Sequence, residues 1–189
     1  INTPLSVNEP LDANNAPYQF IPFSASDQAY NDSTNSGSDR YAYWVQGLVS
    51  RPSQNDALVY FLRLKVGGGF LNYDLLNTGM AVVGANSTTA TVVQESLFSK
   101  PGPIFDGGVF DHNGYVYMYD CNNTIISCSI ARAPIDGALS RSNYRFWDGT
   151  EWDSDINNRV SNMPGQDAGW SEALGKYVMF SNQFLTGKI

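Results

Sequence analysis

The chain has 189 residues, 42% hydrophobic and 13% aromatic, with 15% charged residues, a net charge of −7 and a pI near 4.5. That is enough apolar material for a sizeable core and too much for a disordered chain. The acidic balance argues against nucleic acid or an anionic membrane as partner, since both need clustered Lys and Arg, and no apolar run approaches the ~20 residues of a membrane span.

Taken in order, residues 1–40 are expected to form an extended N-terminal segment. It carries Pro4, Pro10, Pro17 and Pro22 and a polar run from Asn31 to Gly37. Within it only Tyr18 to Phe23 suits a strand, and Pro22 would confine that strand to an edge. The start, Ile1-Asn2-Thr3-Pro4, is not a leader, so a secretory leader is expected to have been removed. Residues 41–189 form the β-rich part. Tyr41 to Val45 and Ala57 to Val66 read as strands around a polar loop, ended by Gly67-Gly68-Gly69. Met80 to Gly84 and Thr89 to Glu95 read as a second, weaker pair. Four strands follow in sequence: Ile104 to Phe110, Tyr115 to Tyr119, Ile125 to Ala133 and Tyr144 to Trp147. Asn113-Gly114 marks the first hairpin, because tight turns need the positive φ that glycine supplies. Residues 148–166 read as loop, and two strands follow from Asp167.

One pattern recurs through this part: a polar residue, small residues and an apolar strand, then a turn and a tyrosine-rich strand. It begins at Gln46, Asp106 and Asp167, spaced 60 and 61 residues apart. A fixed period of β units points to a repeat architecture, here an all-β propeller of antiparallel four-stranded blades. Three units, the last truncated, are fewer than the roughly four to eight blades of a closed propeller. The remainder of a longer chain, or other subunits, is expected to complete it.

In a propeller, equivalent positions on successive inner strands converge on the axis. Asp106 and Asp167 are therefore the candidate catalytic carboxylates, with Gln46 as a third, substrate-binding position. Two carboxylates around one pocket are what glycoside hydrolysis needs, one donating a proton and the other acting as base or nucleophile. The plainer alternative is that each Asp caps a strand or a glycine turn. Trp44, Trp147 and Trp170 offer flat faces for sugar rings, or else pack between blades. Trp152 sits in an acidic loop and is expected to be exposed. Glu95, Glu151 and Glu172 are further proton-donor candidates. His112 is the lone histidine; no metal site and no cofactor are expected, and no G-x-S-x-G motif supports a serine triad.

Asn31, Asn86 and Asn122 each head an Asn-x-Ser/Thr sequon and are the candidate glycosylation sites. Cys121 and Cys128 flank a turn-like cluster, where a hairpin would set them opposite each other. A disulfide between them is expected, ahead of free thiols or a metal site, since two cysteines with a distant histidine make a poor zinc site. Together these features read as a secreted, extracellular glycoprotein.

The segments Ser129-Ile-Ala-Arg-Ala-Pro-Ile-Asp136, Asn143-Tyr-Arg-Phe-Trp-Asp-Gly-Thr-Glu-Trp152 and Ala173-Leu-Gly-Lys-Tyr-Val-Met179 resemble the domain of unknown function 4185 group, over roughly residues 40–182. The resemblance implies a five-bladed propeller akin to glycoside hydrolase family 43. Asp106, in Phe105-Asp-Gly-Gly-Val-Phe-Asp-His-Asn-Gly114, looks like the aspartate with which that family tunes its acid. The sequence departs at Gln46, where an amide stands in place of a titrating group. The expected function is a carbohydrate-active, glycoside hydrolase-like protein acting on polysaccharide. The alternative is a non-catalytic structural or glycan-binding glycoprotein that assembles with other chains.

Overall fold

The computed structural model describes residues 11, 15, 19–34, 39–68, 72–122, 127–164 and 167–180. The fold is mostly β, in three antiparallel sheets. The first holds β1 (Arg40–Arg51), β2 (Asp56–Val66), β3 (Tyr73–Gly84) and β4 (Thr91–Ser99) in chain order. The second runs β5 (Val109–His112), β6 (Tyr115–Asn122), β7 (Ser127–Pro134), β8 (Arg145–Trp147) and β9 (Trp152–Asp153), and β10 (Met163–Pro164) also pairs with β7. The third contains β11 (Asp167–Ser171) and β12 (Lys176–Phe180).

Several elements differ from the sequence reading. The expected weak pair at 80–84 and 89–95 is longer and joins β1 and β2 in one sheet, because β2 is apolar on both faces and so pairs on both edges. Between Asp106 and the turn, His112 and Asp111 belong to β5 and not to the loop. Asn113 (φ 49°) and Gly114 (φ 78°) alone make a two-residue turn, whose twist matches that of the strands. The 148–166 loop supplies the short strands β9 and β10.

The N-terminal segment differs most. Residues 19–23 form no strand, and α1 (Ala25–Ser33) lies where extended chain was expected. Ser24 caps the helix by accepting from the Asp27 backbone N–H at 3.3 Å. Asp27 then turns inward, 1% exposed, onto the first sheet. Arg63 of β2 donates to both of its oxygens at 2.6 Å, and the Tyr43 hydroxyl donates at 2.9 Å. The helix is weakly amphipathic in sequence, and this buried charge helps to dock it.

Side chains alternate between two cores. Leu58 and Tyr60 of β2 face the second sheet, joining Val49, Met80, Phe98, Phe105, Met118, Tyr144 and Phe146. The buried Tyr60 and Tyr144 hydroxyls meet at 2.9 Å, and Tyr144 also donates to the Ala138 carbonyl. Val59 and Phe61 face the other way, toward Ile21 in the N-terminal segment. The sheets approach closely at Gly47, where a Cβ would stand 3.0 Å from that of Val109. The far face of the second sheet is aromatic, with Phe110, Tyr117, Tyr119, Trp147 and Trp152.

Cys121 and Cys128 face each other across β6 and β7 and form a disulfide, with Cα atoms 4.0 Å apart. Directly opposed antiparallel positions are the closest that two strands offer. Such a bond persists in an oxidising compartment. No helix among the described residues is long and apolar enough to cross a membrane.

Two outcomes follow from these contacts. Replacing both cysteines with serine should cost about 2.5 kcal/mol by loop-closure entropy, given a separation of seven residues. Denaturant unfolding of the oxidised protein and of the double variant measures this. Asp27→Ala should cost roughly 3 kcal/mol, the lower end for breaking a buried pair, because Arg63 keeps 25% exposure. Burial would raise the Asp27 pKa, but the bonds from Arg63 and Tyr43 outweigh it and hold the pKa below 3.8. A depressed carboxylate stabilises the fold above its unfolded pKa and loses that contribution as pH falls through its folded one. The gap between wild type and Asp27→Ala in thermal melts should therefore be full at pH 6 and narrow below about pH 4.

Candidate functional site

The connection from β4 to β5 builds a large open concavity lined by several charged side chains. The chain leaves Ser99 through a turn containing a cis Lys100–Pro101 bond and enters the dipeptide Ile104-Phe105. All four backbone polar groups of that dipeptide are met by side chains. Asp120 Oδ1, at the end of β6, accepts from the N–H of Ile104 at 3.0 Å and of Phe105 at 3.2 Å. The Thr78 hydroxyl of β3 donates to the Ile104 carbonyl, and Gln46 Nε2 of β1 donates to the Phe105 carbonyl at 2.6 Å. Phe105 is left-handed (φ 59°), a conformation that bulky residues rarely adopt. Its ring is fully buried, 4.6 Å from Phe98 and 5.9 Å from Phe146.

This geometry carries Asp106 into an open cleft of about 910 Å³, lined also by Asp120, Lys100 and Arg159. Asp106 is half-buried. Burial, then the neighbouring Asp120 carboxylate, raises its pKa, against the bonds it accepts from its own N–H and that of Cys121. Arg159 donates from Nη1 to the Ile156 carbonyl, while its Nε is buried without a hydrogen-bond partner among the described residues. Lys100 reaches Asp74 at 2.7 Å. The arrangement is a carboxyl of raised pKa beside a second carboxylate, with Lys100 and Arg159 also lining the cleft. It suits proton donation to a leaving oxygen.

Gln46, Trp44, Trp147 and Trp170 do not line this cleft. Gln46 is not at a strand start but at the bulge in β1, and its amide holds Phe105, with Oε1 buried and without a hydrogen-bond partner among the described residues. Asp167 begins β11, and its side chain lies outside the described residues. Trp44 is exposed on β1 beside Tyr73, 5.4 Å away. Trp170 stacks on His112 at 3.9 Å, and Trp147 lies against Trp152 at 5.4 Å. None of these three tryptophans lines the Asp106 cleft. Trp152, expected in an exposed loop, is half-buried on the aromatic face of the second sheet.

Among the sequon residues, Asn86 is exposed at the β3–β4 turn. Asn31 bridges both backbone groups of Tyr41, and the Asn122 side chain lies outside the described residues. No cluster of three His, Cys, Asp or Glu side chains suited to a metal occurs among the described residues.

Asp120, Arg159 and Lys100 were missed in the sequence. For Asp120 a signal existed: Val109 faces Met118, so counting back from the Asn113-Gly114 turn sets Gly107 opposite Asp120. Nothing comparable points to Arg159, which arrives from a loop.

No family model matches the chain, and no curated protein does. Among solved structures, a presumed hydrolase from Bacteroides ovatus aligns with 61% of this chain at 13% identity and a TM-score of 0.46. The aligned part is 30% of that protein, so this chain spans less than a third of its length.

A raised carboxyl pKa makes the folded state bind an extra proton between the unfolded and folded values, so stability falls as pH rises through that window. Asp106→Asn should accordingly raise the melting temperature at pH 7, with the gain shrinking toward pH 4. Melts of the two proteins across that range check the sign.

Proposed function

We propose that this chain is part of a β-propeller that acts on polysaccharide, with hydrolase-like chemistry centred on Asp106. The propeller reading is supported by order and adjacency. The first two sheets begin as meanders of four strands in chain order, and the first strand of each sheet packs on that of the next, β1 on β5 and β5 on β11. First strands in succession are what blades around an axis require.

The observation that carries the chemistry is Asp106: a half-buried carboxyl with a raised pKa, open to a large polar cleft. A carboxyl whose pKa is raised by burial and a like charge keeps its proton to higher pH than a free aspartate, as a donor to a glycosidic oxygen must. Asp120, bound to two backbone N–H groups, maintains the negative potential that keeps that proton in place. Asp167, heading the first strand of the third sheet, is the second carboxylate of the proposal, as base or nucleophile. Residues completing the propeller would come from the rest of a longer chain or from other subunits. The disulfide and the exposed Asn86 sequon fit a secreted glycoprotein.

One observation favours a second reading, a glycan-binding or structural protein without turnover. At the first repeat position stands Gln46, whose amide serves the Phe105 carbonyl and cannot titrate.

Reducing-sugar release from a panel of cell-wall polysaccharides separates the two. Under the enzymatic reading, Asp106→Asn and Asp167→Asn should each lower release by about 10²-fold or more, the scale of a lost proton-transfer group. Retention on a polysaccharide column without sugar release would replace the enzyme with the binding protein.

A further inference from the structure

The aromatic face of the second sheet carries a second site that the reading above does not use. Arg132 of β7 and Arg145 of β8 are directly opposed residues on neighbouring strands. Directly opposed like charges cost stability unless something between them compensates. Neither forms an ion pair with a carboxylate among the described residues, although the chain as a whole carries a net charge of −7. The Arg132 guanidinium is held between two rings, 4.5 Å from that of Tyr115 and 4.1 Å from that of Trp152. Its Nε is buried without a hydrogen-bond partner among the described residues. Aromatic stacking fixes a guanidinium in place while leaving its in-plane donors for an anion.

Two hollows meet at this arginine. One, of about 260 Å³, contains both arginines with Tyr115 and Asn143. The other, of about 300 Å³, is walled by Trp147, Trp152 and Tyr177. Trp147 and Trp152 are inclined at 57°, so the trough is concave. The face places paired cations beside aromatic walls, which suits a ligand bearing both a carboxylate and the apolar face of a ring.

We infer that this trough binds acidic sugar, with a uronate carboxylate between Arg132 and Arg145 and a neighbouring ring against Trp147 and Trp152. The inference rests on the carbohydrate reading above but does not require turnover at Asp106. It makes the chain selective for uronic-acid-containing glycan over neutral glycan.

The test is calorimetric titration and tryptophan fluorescence with a uronic-acid trisaccharide and a neutral trisaccharide, on the full chain. The uronate should bind and perturb the fluorescence, at least tenfold more tightly than the neutral sugar, and 0.5 M NaCl should weaken it. R145Q should lose tenfold or more; among the described residues Arg145 bonds only to the nearby Ser142 and Tyr144 carbonyls. R132K keeps the charge but loses the planar fork, and should lose affinity without unfolding. Asp106→Asn should bind the uronate like wild type, and in the wild-type chain absent sugar release with intact uronate binding would sink the enzymatic reading and leave this site standing. Equal affinity for both sugars, or unchanged binding in R145Q and R132K, would overturn the inference. Concentration-dependent self-association abolished by R145Q would also overturn it, assigning the arginines to carboxylates of a second copy.

Discussion

The peptide groups of Ile104 and Phe105 are the constraint on which the site depends. Buried backbone groups away from a sheet ladder must find partners, and here three strands from two sheets supply them: Gln46 of β1, Thr78 of β3 and Asp120 of β6. Holding a bulky residue in the left-handed region costs about 1–3 kcal/mol. Burying a phenylalanine ring returns a similar amount, about 1.5–3 kcal/mol, and each of the hydrogen bonds adds roughly 1 kcal/mol. The strain is thus offset locally. The result is a loop whose next residue, Asp106, has little freedom to choose where its carboxyl points.

The same groups tie site electrostatics to architecture. Asp120 cannot turn away from Asp106 without abandoning two N–H donors, so its charge remains beside the neighbouring carboxyl. A surface aspartate would swing toward solvent and relieve the repulsion. Burial and repulsion together push the Asp106 pKa up, and both are fixed by backbone needs.

Sheets were more legible in the sequence than sites, for a physical reason. Alternating apolar residues and the Asn113-Gly114 turn encode the pairing of β5 with β6 locally, and β6 and β7 pair with Cys121 opposite Cys128. The helix was hidden because it docks through polar contacts, Asp27 with Arg63, 36 residues apart, and Asn31 with the Tyr41 backbone, and not through an apolar stripe. Gln46 illustrates the limit of repeat logic. Its spacing marked it as an equivalent of Asp106, whereas its amide serves a carbonyl that the spacing could not show. Trp44, Trp147 and Trp170 carry identical chemistry in the sequence, and only the strand each occupies separates an exposed ring from one stacked on His112.

Because Gln46 and Thr78 belong to the first sheet while Asp106 and Asp120 frame the second, the cleft is a property of the interface between them. Phe105 inserts its ring among Phe98, Phe146 and the other residues that weld the sheets together. A change that loosens that core would free the Phe105 carbonyl, relax its backbone toward the ordinary right-handed or extended regions, and swing Asp106 away from Asp120. Packing far from the carboxyl therefore governs its proton affinity. Gln46, an amide where the repeat pattern elsewhere places a carboxylate, is better suited to this duty than an aspartate. An amide donates to the carbonyl and adds no negative charge beside two carboxylates, whereas an ionised aspartate could only accept.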